Sequence, residues 1–239
     1  MQLWLCPLFA FLLGSIPFGL LIAKARGIDI RQHGSGNIGA TNVLRVVGKK
    51  YGIACLLLDA LKGFIPVAIA VNLIQIIGRP VQMPLGLTDA WLMKLEAADA
   101  LKAQTAHILT ALCAVLGHNY SPWVGFKGGK GIATSAGVFL ALMPFAVLLL
   151  LVIWALLFLV TSYVSVASIG ASAALPFLTL WGSWQHGRIQ NGTWNKPLFA
   201  LTVLIAIMAV WKHRANIQRL RAGTENRFVS KSKRSQQES

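Results

Sequence analysis

Residues 33 to 45, His-Gly-Ser-Gly-Asn-Ile-Gly-Ala-Thr-Asn-Val-Leu-Arg, combine the residue types that a phosphate cradle needs. Gly34, Gly36 and Gly39 let the backbone turn sharply and approach a ligand. Ser35, Asn37, Thr41 and Asn42 supply neutral donors, and Arg45 supplies a planar fork matched to phosphate oxygens. A plain Gly/Ser connector has little use for the spaced Asn37, Asn42 and Arg45. The loop lacks a Gly-Lys-Ser/Thr ending and a preceding strand, which argues against ATP binding through a P-loop. A second loop of related chemistry runs Gly125-Phe126-Lys127-Gly128-Gly129-Lys130-Gly131. Lys130 opens an apolar helix, where free N–H groups and the helix dipole favour an anion. Lys127 has two readings, a phosphate contact or an interface lysine whose ammonium snorkels to headgroups.

Two further sets could join these loops. Ser165 and Ser168 are three residues apart and share a helix face, either as packing hydroxyls or as ligands. His213 and Asn216 have the same spacing and can face one site. Arg214, Arg219 and Arg221 around them read first as lipid-facing anchors. Asp59 and Lys62 lie inside an apolar run at i, i+3 and read as an interior ion pair, with substrate contact as the alternative. Seven carboxylates and five histidines are scattered along the chain, so no metal and no cofactor is expected.

The elements that must carry these residues are membrane helices. Of 239 residues, 56% are hydrophobic and 12% charged, too apolar a balance for an ordinary soluble domain. The net charge of +15 fits basic cytoplasmic loops and anionic lipid better than nucleic acid, and no nucleic-acid partner is expected. Cys6, Cys55 and Cys113 sit in or beside apolar runs and read as packing thiols. The first apolar run starts almost at Met1 with no basic flank, which reads as a retained span rather than a cleaved signal.

Apolar runs cover Leu3–Ala23, Tyr51–Ile77, Ala106–Gly117, Ile132–Val160, Val164–Trp181 and Leu198–Trp211. Pro144 breaks the long run, so 132–160 reads as two helices turning near Leu142-Met143-Pro144. The fold class expected is an all-α integral membrane protein of seven transmembrane helices. Lys24, Arg26, Arg31, Arg45, Lys49 and Lys50 crowd the first loop, and the segment after Trp211 is equally basic. The positive-inside rule then sets the N-terminus outside and the C-terminus in the cytoplasm. Residues 118–131 and 161–165 fall on the cytoplasmic side with the first loop. Residues 78–105 read as an external loop with a short surface helix over Asp89–Ala103. Residues 1–228 form the membrane domain, and 229–239 read as a disordered basic tail.

The chain resembles the bacterial acyl-phosphate-dependent glycerol-3-phosphate acyltransferases over nearly its whole length to Phe228. The likeness rests on Gly14-Ser15-Ile16-Pro17-Phe18-Gly19, Gly34 to Arg45, Leu58-Asp59-Ala60-Leu61-Lys62-Gly63, Gly117-His118, Phe126 to Thr134, Tyr163 to Ser168 and His213 to Gly223. The resemblance implies a seven-helix inner-membrane enzyme with its active site on the cytoplasmic side. It implies that an acyl phosphate and sn-glycerol 3-phosphate are the substrates, giving lysophosphatidate and phosphate as the first step of phospholipid synthesis. Carried over by motif position, Ser35, Arg45, Lys130, Ser168, His213 and Asn216 are the expected catalytic residues. Gly36, Asn37, Thr41, Asn42, Lys127, Gly128, Gly129 and Ser165 are the expected substrate-binding residues. A monomer in contact with membrane lipids is expected. The rival from another class is a carrier of phosphorylated metabolites, which needs polar groups at mid-membrane from both halves.

Overall fold

The computed structural model describes residues 2–81, 83–87 and 89–228. The tail expected over 229–239 lies outside them.

The chain enters through α1 (Gln2–Ser15) and α2 (Phe18–Lys24), separated at Ile16-Pro17. Pro17 has no N–H for the Leu13 carbonyl, the helix stops, and the carbonyls of Ser15 and Ile16 are left without i+4 helical partners. Other elements satisfy them. Ser121 Oγ donates to the carbonyl of Ser15 at 2.6 Å, and Lys62 Nζ donates to that of Ile16 at 2.7 Å. Trp123 Nε1 adds a bond to Ser15 Oγ at 2.9 Å. The break therefore ties three parts of the chain together beneath the loops.

A short α3 (Ala40–Val46) and the long α4 (Lys49–Leu73) follow the first loop. Next come β1 (Ile74–Ile76), β2 (Met93–Leu95) and α5 (Ala100–Asn119). Then α6 (Ile132–Leu142), α7 (Pro144–Thr161), α8 (Val164–Gln185), α9 (Lys196–Lys212) and α10 (Arg214–Arg221) complete the order. Among the described residues, five helical segments are long and apolar enough to cross a membrane, or six if α9 and α10, bent by 53°, count as one. At 11 residues, α6 is a shorter apolar helix. The break expected near Pro144 is present between α6 and α7 at Met143.

Close backbone approach packs the bundle. A Cβ on Gly63 would strike the carbonyl of Thr134, and one on Gly137 would strike that of Ala60, so α4 and α6 meet backbone to backbone. Gly14 and Gly117 do the same for α1 and α5. Such small-residue seams are how membrane helices gain packing where lipid removes the hydrophobic drive. In contrast α7 presents Phe145, Leu159 and Val160 outward, each at least 75% exposed, as a lipid-facing helix does.

The segment 78–105 differs from its expectation. No helix spans Asp89–Ala103. Single turns at Asp89–Trp91 and Ala97–Asp99 flank β2, which pairs in parallel with β1 in the register Ile74↔Met93, Gln75↔Lys94 and Ile76↔Leu95. Helix α5 absorbs residues from Ala100 onward, with Asp99 in the N-cap position. Asn72 anchors the region: its amide donates to the carbonyls of Ala68 and Met83, and its Oδ1 accepts from Leu85 N at 2.8 Å.

Candidate active site

The first loop is held open by one buried side chain. Asn42, 2% exposed, accepts from Ser35 N at 3.0 Å and donates to the carbonyls of Ile30, His33 and Asn37. Asn37 Oδ1 in turn accepts from Gly39 N at 2.8 Å. Gly34 has φ +61°, and a Cβ there would collide with Asn42 Oδ1. The turn thus needs glycine both for conformation and for space. After Gly39 the chain enters α3, where Thr41 and Arg45 are one turn apart and share a face.

The second loop reaches α6 through Gly131, whose φ of +79° admits glycine best. No side chain caps α6, so the N–H groups of its first turn stay available to an anion. Lys130 Nζ donates to Asn216 Oδ1 at 2.5 Å. Asn216 Nδ2 donates to Glu225 Oε1 at 2.5 Å, which also accepts from Ser165 Oγ at 2.9 Å. Arg219 Nε donates to Glu225 Oε2 at 2.7 Å. Arg45 lies over the Phe228 ring at 4.8 Å and donates through Nη2 to the carbonyl of Asn226. Trp154 Nε1 donates to Ser168 Oγ at 3.2 Å. His213 Nδ1 is 2.7 Å from the carbonyl of Ala209. Facing a carbonyl, Nδ1 must carry the proton, so Nε2 of the neutral ring keeps a lone pair.

Charge follows from these contacts. Burial pushes the Lys130 ammonium down to about 8, with Glu225 opposing and Arg219 and Arg45 adding to the fall. Burial opposes ionisation of Glu225, yet hydrogen bonds from Asn216, Arg219 and Ser165 outweigh it and hold the carboxyl below its ordinary value. Three cations, Arg45, Lys130 and Arg219, thus share one carboxylate. The cluster is short of negative charge, which is what a bound phosphate brings.

These groups open onto a cavity of about 330 Å³. Ser35, Asn37, Thr41, Arg45, Lys130, Ser165, Ser168, His213 and Asn216 all line it. Its other wall is apolar, with Leu150, Leu151, Trp154 and Leu175 among the lining residues from α7 and α8. Asn42 sits behind the wall as a brace, and Gly36, Gly128 and Gly129 form the loops rather than the lining. Lys127 is exposed. Among the described residues, no group of three His, Cys, Asp or Glu is arranged to hold a metal ion.

Residues 4–223 match the glycerol-3-phosphate acyltransferase family. The chain belongs to that family. A glycerol-3-phosphate acyltransferase of Geobacter metallireducens is 49% identical over 219 residues, covering 92% of this chain and 94% of the relative. That of Aquifex aeolicus is 40% identical, covering 92% and 96%. Among solved structures, the integral membrane glycerol 3-phosphate acyltransferase PlsY in its glycerol 3-phosphate form matches with TM-score 0.77 and 36% identity over 96% of both chains. Its lysophosphatidic acid form matches with TM-score 0.74 and 37% identity, again over 96% of both. The chain is therefore an acyltransferase built as a helical membrane protein.

The sequence alone does not point to Glu225, to Arg219 beside it, or to Trp154 as parts of this acyltransferase's site. Glu225 accepts hydrogen bonds from three of the site's polar groups, yet it lies just past the His213 to Gly223 motif. Its signal was available: it is the lone carboxylate in the basic stretch between Lys212 and Phe228. Trp154, read only as part of an apolar run, also reaches the site through Ser168.

Proposed function

We propose that the protein transfers a fatty acyl group from an acyl phosphate to the 1-hydroxyl of sn-glycerol 3-phosphate, giving lysophosphatidate and inorganic phosphate. The observation that carries this reading is the convergence of two anion-holding loops on one cavity whose far wall is apolar. Both substrates bear phosphate and one bears a long chain, so one cavity with two cationic ends and a greasy side suits the pair. The solved relative in glycerol 3-phosphate and lysophosphatidic acid forms supports the same substrate and product here.

In this scheme Arg45 with the Ser35–Thr41 loop holds one phosphate, and Lys130 with the Gly128–Gly129 backbone holds the other. The acyl phosphate is already activated, so positioning and charge stabilisation supply most of the acceleration. The glycerol 1-oxygen attacks the acyl carbon, the carbon–phosphate oxygen bond breaks, and the hydroxyl proton passes to a phosphate oxygen. Transfer is direct, without an acyl-enzyme. Ser168 and Asn216 orient oxygens, and His213 accepts the hydroxyl hydrogen bond at Nε2 without becoming the final proton acceptor. If His213→Ala abolishes turnover while substrate affinity stays intact, a protein base is needed and this scheme is wrong. A trapped acyl-serine on Ser35, Ser165 or Ser168 excludes direct transfer.

The proposal includes the setting. With α6 as a short crossing and α9–α10 as one, the chain spans the bacterial inner membrane seven times, N-terminus outside, with the site at the cytoplasmic face. It acts as a monomer, needing no cofactor. The decisive experiment gives purified protein in lipid palmitoyl phosphate and radiolabelled glycerol 3-phosphate, with palmitoyl-CoA as a parallel donor. Label entering the organic phase only with the acyl phosphate is expected. No extraction with either donor from folded protein rejects the reading.

A further inference from the structure

Beneath the second glycine loop lie three buried charged or titratable side chains that the proposed transfer leaves unused. Asp59 and Lys62 on α4 are each 2% exposed, and His118 on α5 is 5% exposed. Lys62 Nζ contacts Asp59 Oδ1 at 2.8 Å. His118 Nδ1 stands 3.6 Å from the same oxygen, an electrostatic contact longer than a hydrogen bond. The far edge of the imidazole meets the loop. A Cβ on Gly129 would collide with His118 Nε2 and come within 3.0 Å of Cε1. The Gly129 N–H donates to the carbonyl of His118 at 3.2 Å, and a Cβ on Gly128 would strike that same carbonyl. Both glycines are thus seated on one residue.

A buried ion pair is poor value as a plain brace. Apolar side chains of similar volume in its place are often neutral or stabilising. What charges supply and methyl groups do not is a fixed orientation for a polar ring. Asp59 lies on the Nδ1 side of the imidazole and Lys62 secures Asp59, so the Nε2 edge is turned towards Gly129. Asp59 and His118 also reach the cavity lining, which puts the unit beside the proposed substrate cavity rather than in a remote core.

We propose that His118, aligned by the Asp59–Lys62 pair, is a positioning residue: its carbonyl takes the Gly129 N–H and its ring supports that glycine, which sets the height of the loop and so the reach of the Gly128 N–H and Lys130 to phosphate. The inference rests on the acyltransfer reading for the identity of the ligand as a phosphate. Its geometry predicts a specific coupling. Ala at 129 clashes with the imidazole, so removing the imidazole makes room for the new methyl group.

The test uses full-length protein in lipid and four forms: wild type, H118A, G129A and H118A/G129A. KM and kcat are measured with palmitoyl phosphate and glycerol 3-phosphate, and the Kd of inorganic phosphate is measured by calorimetry. H118A is expected to raise Kd, and the KM of one substrate, by about tenfold while kcat stays within about threefold. G129A is expected to lose at least as much, and the double variant to bind phosphate better than G129A alone, as a coupled pair does. A purely structural residue lowers the melting temperature and folded yield but leaves the Kd of the folded fraction unchanged. An unchanged Kd in H118A, or single-variant losses that simply multiply in the double variant, overturns the proposal. If H118A does not fold, H118N takes its place, since its shorter side chain also leaves Gly129 unsupported. A wild type that binds inorganic phosphate but makes no lipid product sinks the acyltransfer reading, and the Kd comparison still decides the role of His118.

Discussion

Raising the pH should switch off this enzyme through one side chain. Lys130 is held near 8 by burial, against an ordinary value of 10.5. Around pH 7 the ammonium persists; at pH 9 it survives on about one molecule in ten, so kcat/KM should fall about tenfold between them. The phosphate of glycerol 3-phosphate loses its second proton near pH 6, so the substrate itself does not change over this range. A bound dianion favours the ammonium, which moves the same limb to higher pH in kcat than in kcat/KM. The assay is the initial rate of labelled lysophosphatidate formation from pH 6.5 to 9.5, with the donor's own hydrolysis subtracted. Lys130→Arg keeps its charge throughout, so a slower enzyme with no alkaline limb is expected. Ligand-free stability should move the opposite way. Between pH 8 and 10.5 the unfolded lysine holds a proton that the folded one has released, so stability rises with pH there, by at most about 3 kcal/mol. A flat rate profile to pH 9.5, or an alkaline limb that survives in Lys130→Arg, refutes this account of Lys130.

Three further outcomes follow from the packing. Asn42→Ala removes four hydrogen bonds from a buried position, and orphaned groups there cost about 1–3 kcal/mol each; exchange of the Ser35 amide should accelerate, and unchanged protection counts against Asn42 as the loop's brace. Gly137→Ala drives a methyl into the Ala60 carbonyl and should lower stability by about 1–3 kcal/mol, read as a fall in melting temperature. Asp59→Asn strands the Lys62 charge at a cost of about 3–5 kcal/mol, whereas Asp59→Leu with Lys62→Met should restore most of the folded yield. Equal yields for the single and double variants argue that the pair is not buried together.

Much of the architecture was legible because particular residues forced it. Pro144 lacks an N–H and disfavours helical backbone at Met143, which favours a turn there over one long helix, although Pro66 and Pro176 sit inside α4 and α8. Asp59 and Lys62 are neighbours on any helix, and their ion pair needed no tertiary knowledge. The loops announced themselves through glycines spaced among donors. What failed was long-range or short-lived in pattern. Strands of three residues are too brief to show alternation, so β1 and β2 leave no trace in the sequence, and the segment before α5 reads as helix. Side of the membrane could group Lys130 with Asn216, but no periodicity could show that they touch across 86 positions. Glu225 was hidden by its company. A solitary acid among bases reads as an ordinary surface residue until its partners on α8 and α10 are seen.

The bond between Ser165 and Glu225 spans 60 positions and has a bearing on timing. A ribosome delivers the chain from the N-terminus, and helices enter the membrane as they emerge. Both glycine loops are therefore in place well before residues 225–228 exist. Until then Asn216 has no acceptor to turn its amide, and Arg45 has no Phe228 ring or Asn226 carbonyl to rest on. The half-made enzyme can hold anions but not in working register. Residues 225–228 thus work as a closing latch, and a chain stalled or clipped before residue 225 is expected to reach the bilayer without activity.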